Sequence, residues 1–448
     1  MKKNSRAARF SQLWRSDLDL ALLCFLFFSL PFERIPSIQA GPVTLRLSLF
    51  AGAAVILRTA YLLATRKLQF KLDFPSALLL AFSIWIAVLL PLSLNLQRGA
   101  MVLIFTFFTI AVAFSIRQLY RSEHLKPILK SLAFSTAIVL AFCGYQYIGN
   151  LVGLPNWATG LRERYSWQVF GFPRIQGMSL EPLYLASFLI LPFSLLFAWL
   201  VNKHKAVRSW YFGAALFAIS CAIFMTVSRG GIVAALAAVG VISAVSVLWR
   251  VVSWKRLAVS VGLVLLGFAV GFLIVSVFNK LPENLRLTNG KRGSAALTNQ
   301  LTKTGLETGG DERSKVRGLA TSIIKKSPRN FLIGIGPGQF GPYVQPNKQG
   351  GDGWWIVNNE LLELWVEYGL VGVAMVAAFL LALAVVLLSR IRSLAGQGFV
   401  AIALLAFVAA EVIQYQTFST LYIIHIWAGI GLGLGIASHA PELHAKRQ

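Results

Sequence analysis

Runs of about twenty apolar residues, such as "SALLLAFSIWIAVLLPLSL" and "VGVAMVAAFLLALAVVLLS", recur along most of this chain and fix its solvent before anything else. A water-soluble fold cannot bury that many such segments. A bilayer accommodates each as a helix that satisfies its own backbone hydrogen bonds. Of the 448 residues, 56% are hydrophobic and 13% are charged, with a mean hydropathy of +0.68, against the roughly 25% charged residues of an ordinary soluble domain. The chain therefore reads as an all-α polytopic membrane protein.

About twelve spans are expected, near 18–33, 44–65, 75–94, 98–116, 128–150, 181–201, 209–227, 230–249, 257–278, 366–389, 397–416 and 419–438. Basic residues check the count. With the N-terminus inside, the short loops "TRKLQFKLD", "RQLYRSEHLK", "NKHKAVR", "WRVVSWKR" and "SRIRS" and the tail "HAKRQ" all fall on the cytoplasmic side, while the opposite short loops carry few cations. The opening "MKKNSRAARFSQLWRSDLDL" lacks a small-residue cleavage site and reads as a cytoplasmic tail. Both termini are thus expected in the cytoplasm. Two longer segments lie opposite: about 150–180, and the hydrophilic stretch 279–357. The latter divides the chain into a membrane region 1–278, a large outer loop 279–357 and a second membrane region 358–448.

The net charge of +25 sits in short loops between spans, which points to anionic lipid or an anionic substrate and away from nucleic acid. Cys24, Cys143 and Cys221 lie in apolar spans without pairing or metal-ligand spacing. The chain shows no internal repeat of the transporter kind.

Arginines gather at the outer end of the spans: Arg98, Arg174, Arg229 in "TVSRGG", and Arg313 and Arg317 in the large loop. Guanidinium presents a planar fork of donors matched to phosphate oxygens, so their convergence predicts a phosphate or pyrophosphate site. Glu181 precedes Pro182 at the start of a span, where it caps the helix, orients Arg174 or takes a proton from a sugar hydroxyl. "IGIGPGQF" fails the spacing of a nucleotide loop and predicts a tight turn that brings the loop back onto the membrane region. His425 and Glu411 lie in the last spans; Glu411 is read as an arginine's partner or a coupling carboxylate.

The stretch "WWIVNNELLELWVEYGLVG" places Glu360, Glu363 and Glu367 on one face of a helix that begins near Asn359. Capping by Asn358 or Asn359 with carboxylates near the positive helix end explains them in one way. Hydrogen bonding of a polar ligand by Asn358 and Asn359, with Glu360 or Glu363 as a base, explains them in another.

The ordered elements "RIQGMSLEPLYLA", "TVSRGG", "RSKVRGLATSIIKKSPRNFLIGIGPGQF" and "NNELLELWVEYGLVG", over about residues 170–435, resemble the O-antigen ligase and Wzy-type polymerase family. The resemblance implies a glycosyltransferase of GT-C-like architecture in the bacterial inner membrane, with its site on the periplasmic face. It implies an undecaprenyl-diphosphate-linked glycan as donor, no metal and no cofactor. Membrane lipids and a chain-length regulator are the further partners it brings. Motif by motif, it makes Arg229 and Arg313 the first diphosphate-binding candidates; Arg174 and Arg317 follow on position and charge. Ligases of this family carry a histidine where this chain has Asn358, and an amide is no base. A polymerase that joins lipid-linked repeat units for an exopolysaccharide, capsule or O-antigen is therefore the first reading, and a ligase acting on lipid A-core the second. An anionic-lipid transporter or flippase is the reading of a different class.

Overall fold

The computed structural model describes residues 17–40, 43–70, 72–167, 172–202, 209–278, 310–346, 355–392 and 398–438. The N-terminal tail, the polar stretch 279–309, most of "NKHKAVR" and the basic C-terminal tail lie outside the described residues.

All twelve expected places carry an apolar helix: α1 (Leu18–Ser29), α2 (Leu47–Ala64), α3 (Phe74–Leu89), α4 (Leu96–Leu119), α5 (Leu125–Leu151), α6 (Pro182–Asn202), α7 (Ser209–Met225), α8 (Arg229–Leu248), α9 (Trp254–Phe278), then, after the amphipathic α10 (Gly310–Lys325), α11 (Glu360–Arg390), α12 (Gly398–Gln414) and α13 (Ile424–Ser438). Among the described residues, eight helices are long and apolar enough to cross a membrane, and α1, α7, α12 and α13 fall short. Helices of that length rise only about 18–26 Å, against about 30 Å of hydrocarbon. The missing turns of α1, α12 and α13 are replaced by irregular segments, 30–36 and 415–423. Much of that backbone is buried in protein, as irregular backbone within hydrocarbon has to be. The chain is thus an all-α membrane protein, with a single hairpin among the described residues, Ser37–Ala40 against Val43–Arg46, between α1 and α2.

Polar side chains set the helix starts. Asp17 accepts the Asp19 and Leu20 amides at 3.1 Å, Asp73 that of Ser76 at 3.0 Å, Asn95 that of Arg98 at 2.9 Å, and Asn359 that of Leu362 at 3.0 Å. Two charge pairs lie in the bundle: Asp19 with Arg58 at 2.7 Å and Asp73 with Arg117 at 2.9 Å.

The core centres on α6, which packs against α7, α8 and α12. Of the most apolar stretch of α6, 78% is buried, whereas the other long spans reach at most 44%. Around it, α13 packs on α4, α11 on α3, and α1 on α2 and α5. In α10, Val316, Ala320, Ile323 and Ile324 recur at helical spacing and bury against Ile335, Phe340, Val357 and Val366, a second small core that docks the large loop on the start of α11. The expected turn after it is present. Ile335 and Gly336 donate to the carbonyls of Val366 and Glu367 at 3.0 and 2.9 Å. The approach is so close that a Cβ at Gly334 would strike the Glu367 carbonyl, and one at Gly369 the Leu332 carbonyl. Gly369, at φ 68° and ψ −177°, breaks α11 there and separates a short first segment from the long span.

Candidate functional site

Five of the charged residues singled out in the sequence come together at one end of the bundle, where α8, α10, the segment before α6 and the loop 415–423 meet. Arg229 opens α8 and is exposed. The preceding Val227 holds a left-handed backbone, φ 49°, unusual strain for a β-branched residue. Gly230 and Gly231 leave no room for side chains, since added Cβ atoms would meet Thr417 and Ala186. Arg174 threads beneath this turn and donates from Nε to the Thr226 carbonyl at 3.2 Å and from a terminal nitrogen to the Val227 carbonyl at 3.3 Å. Its guanidinium also lies 5.6 Å from the centre of the Tyr165 ring. Burial pushes its pKa down to about 10; Tyr165 and Glu181 oppose the shift, and Arg313 adds to it. Arg313, on the first turn of α10, is likewise held below the usual arginine range, first by loss of water around it and then by the guanidinium groups of Arg229 and Arg317, with Glu181 opposing. A group of cations that depress one another favours an anion among them.

Arg317, one helical turn on, donates to the carbonyls of Asn358 at 3.1 Å and Gln416 at 2.8 Å. Its Nε is buried without a hydrogen-bond partner among the described residues. This arginine joins the cationic wall to the start of α11. Asn358 takes the left-handed backbone that asparagine tolerates, φ 55°. Asn359 caps α11, donates from Nδ2 to Gln416 Oε1 at 2.9 Å, and from its amide to Ser419 Oγ at 2.9 Å.

The glutamates that follow are held unequally. Glu367 receives the Gly338 and Phe340 amides at 2.7 and 3.2 Å, so both its oxygens serve the turn. Glu360 is buried beside an apolar crevice between α3, α11, α12 and α13, into which Glu411 also faces. Glu363 is half-buried; its Oε2 accepts the Val357 amide at 2.9 Å and its carboxylate also meets the Ser419 hydroxyl. It is the least enclosed of the three.

Some partners differ from those expected. Glu181 pairs with Arg164 at 2.6 Å rather than with Arg174, because Arg174 is turned toward the backbone of 226–227. Among the described residues Glu411 pairs with no arginine: its Oε2 accepts the Ser187 hydroxyl at 2.9 Å. Arg98 donates from Nε to the Gly338 carbonyl at 2.8 Å and so braces the turn beside Glu363 and Glu367. His425 lies under the site, 2.8 Å from Ser187 Oγ. The loop residues Gln416, Ser419 and Thr420 escaped the sequence reading; "QTFST" between two apolar spans was the signal available, and it looks like any short polar connection.

Residues 214–377 match the family model described as O-Antigen ligase. The matched region runs from α7 into α11 and contains Arg229, Arg313, Arg317, Asn358, Asn359, Glu360 and Glu363, while Arg174 and Glu181 precede it. A comparison with curated proteins finds no match. The match covers less than half of the chain, and the apolar helices within and around it mark a membrane protein.

Proposed function

We propose, from the premise of this O-antigen ligase family region, that the chain is a polymerase joining undecaprenyl-diphosphate-linked oligosaccharide repeat units by metal-independent glycosyl transfer. The observation that carries the reading is the convergence of Arg174, Arg229, Arg313 and Arg317 beside the Asn358–Glu363 helix start. In this reading all twelve apolar helices span the membrane, both termini are cytoplasmic, and the 310–359 region covers the site from the periplasmic side.

The reaction has two demands. The sugar C1–O bond to the diphosphate breaks, and the electron pair leaves on a phosphate oxygen that guanidinium groups stabilise. The acceptor hydroxyl forms the new bond to C1 and gives its proton to a base. Glu363 is the best-placed base, half-buried next to Ser419 and the two asparagines, with Glu360 set deeper behind it and Glu181 across the cluster beside Arg164. Asn358 and Asn359 orient the acceptor sugar. Asparagine at the position of the ligase histidine favours polymerase over ligase.

Reconstitution with a defined undecaprenyl-diphosphate repeat unit tests the proposal. Ladders of increasing length in the absence of any second acceptor support a polymerase. Transfer only when a lipid A-core acceptor is added supports the ligase, and no transfer under either condition sinks both.

A further inference from the structure

Directly under the site, a chain of buried polar groups crosses the ends of the helices. Glu411 on α12 accepts the Ser187 hydroxyl of α6 at 2.9 Å, Ser187 Oγ lies 2.8 Å from His425 Nε2 on α13, and His425 Nδ1 lies 3.5 Å from Glu33 Oε1 in the segment after α1. Glu33 Oε2 in turn accepts the Leu180 amide at 3.4 Å, in the segment that holds Arg174 and Glu181. All four side chains are buried. Such groups are costly in a membrane protein unless they bond one another, and none belongs to the arginine cluster or to the carboxylates of α11.

The order serine, histidine, carboxylate is that of a nucleophile with its base and orienter. It does not serve that way here. Ser187 is 0% exposed, and a second carboxylate, Glu411, occupies the other side of its oxygen, where a substrate carbonyl would have to approach.

What the chain does hold is the loop 415–423. Glu411 lies at one stem, with the Tyr415 amide donating to its carbonyl at 2.8 Å, and His425 follows the other stem by two residues. Between the stems the loop supplies the Gln416 carbonyl to Arg317, the Gln416 side chain and Ser419 hydroxyl to Asn359, and the Tyr415 carbonyl to the Glu360 amide at 2.8 Å. One hydroxyl on the most enclosed of the long helices therefore bonds both stems.

We propose that Ser187, Glu411 and His425 are positioning residues: a buried clamp that fixes the loop 415–423, and with it the spacing between Arg317 and the Asn359–Glu363 start of α11, while Glu33 extends the clamp to the segment of Arg174. The role rests on the glycosyl-transfer reading of the site. Three contacts in a row need three protons. The serine supplies one and a neutral imidazole one, so the chain holds one more, on the imidazole or on a carboxyl. In Glu33→Gln the side-chain amide donates in its place and the chain stays closed; in Glu33→Leu it opens.

The experiment compares Ser187→Ala with Leu189→Ala, a cavity in the same helix at a fully buried position outside the clamp. Both are read by polymer formation from an undecaprenyl-diphosphate repeat unit, by thermal midpoint, and by amide exchange at Asn359 and Glu360. Ser187→Ala is expected to lower turnover by about 10- to 100-fold, the range that displacement of a positioned group costs, and to speed exchange at those two amides. Leu189→Ala is expected to lower the thermal midpoint while exchange and turnover stay near wild type. Glu33→Gln is expected to keep wild-type turnover and Glu33→Leu to fall with Ser187→Ala. Wild-type exchange at Asn359 and Glu360 in Ser187→Ala, or equal losses of turnover in the two alanine variants, overturns the clamp. Should the wild-type protein transfer glycan neither to a second repeat unit nor to a lipid A-core acceptor, the glycosyl-transfer reading falls, and the exchange arm still decides whether the clamp exists.

Discussion

On the cationic wall of the site, Arg313 and Arg229 are exposed and Arg317 keeps one buried nitrogen without a hydrogen-bond partner among the described residues. On the facing wall, Glu360 and Glu367 are 5% and 4% exposed, and both oxygens of Glu367 receive backbone amides. The two walls lie on elements joined by Arg317 and differ in how their charges are placed. The cations crowd one another and gain by receiving an anion. The carboxylates are mostly engaged by their own helix start, turn and loop, and only Glu363 stays half-open. A ligand thus changes the energy of the cationic wall most, while the acidic wall offers geometry and one proton acceptor.

Substitutions at four positions test this contrast. The largest effect is expected for Glu363→Gln, which keeps size and removes the base: polymer formation should fall by about 10²–10⁴-fold, the usual worth of a positioned general base, with the thermal midpoint little changed. A quantitative ladder assay checks it, and near-normal ladders would move the base elsewhere. Next comes Arg313→Ala, where loss of one donor to the leaving diphosphate should cost about 10²–10³-fold in turnover; Arg313→Lys should recover only part, because an ammonium lacks the planar fork. If Arg313→Ala leaves turnover unchanged, the cationic wall is not the diphosphate site. Glu367→Gln should behave as a structural change: it sets an NH₂ against an amide it now cannot accept and should cost about 2 kcal/mol of stability, read as a lower thermal midpoint with residual activity in the surviving fold. A turnover loss without any stability loss would erase the distinction drawn among the three glutamates. The smallest effect is expected for Glu181→Gln. Its pair with Arg164 is partly exposed and is worth about 0–1 kcal/mol, so ladders should shorten little; a loss as large as that of Glu363→Gln would place the base across the cluster.

The spacing of apolar residues was enough to place an apolar helix at each expected position among the described residues, eight of them long enough to cross a membrane, because such a helix is a local property of about twenty residues. The α10 stripe and the interlocked glycine turn were legible for the same reason, as was the Asn359 cap. Pairings between distant polar residues were not. Glu181 chose Arg164 over Arg174, which backbone carbonyls had already claimed, and a strained turn at Val227 made those carbonyls available. Glu411 met Ser187, 224 positions away in sequence. A serine in "LYLASFLI" reads as one more small residue in an apolar span, and only three-dimensional packing shows that it bonds two helices. The loop of Gln416 and Ser419 was missed because its value lies in where two short helices end.

The enclosure of α6 has a consequence for biosynthesis. This helix leaves the ribosome with only α1 to α5 ahead of it, yet much of its cover, α7, α8 and α12, is made afterwards, α12 some two hundred positions later in the sequence. Until then Ser187 has neither Glu411 nor His425. The nascent α6 must therefore reside in lipid as an ordinary hydrophobic span and exchange lipid for protein neighbours only when the C-terminal helices arrive. Truncation before α12 should leave an inserted but unassembled chain, a natural target for membrane quality-control proteases.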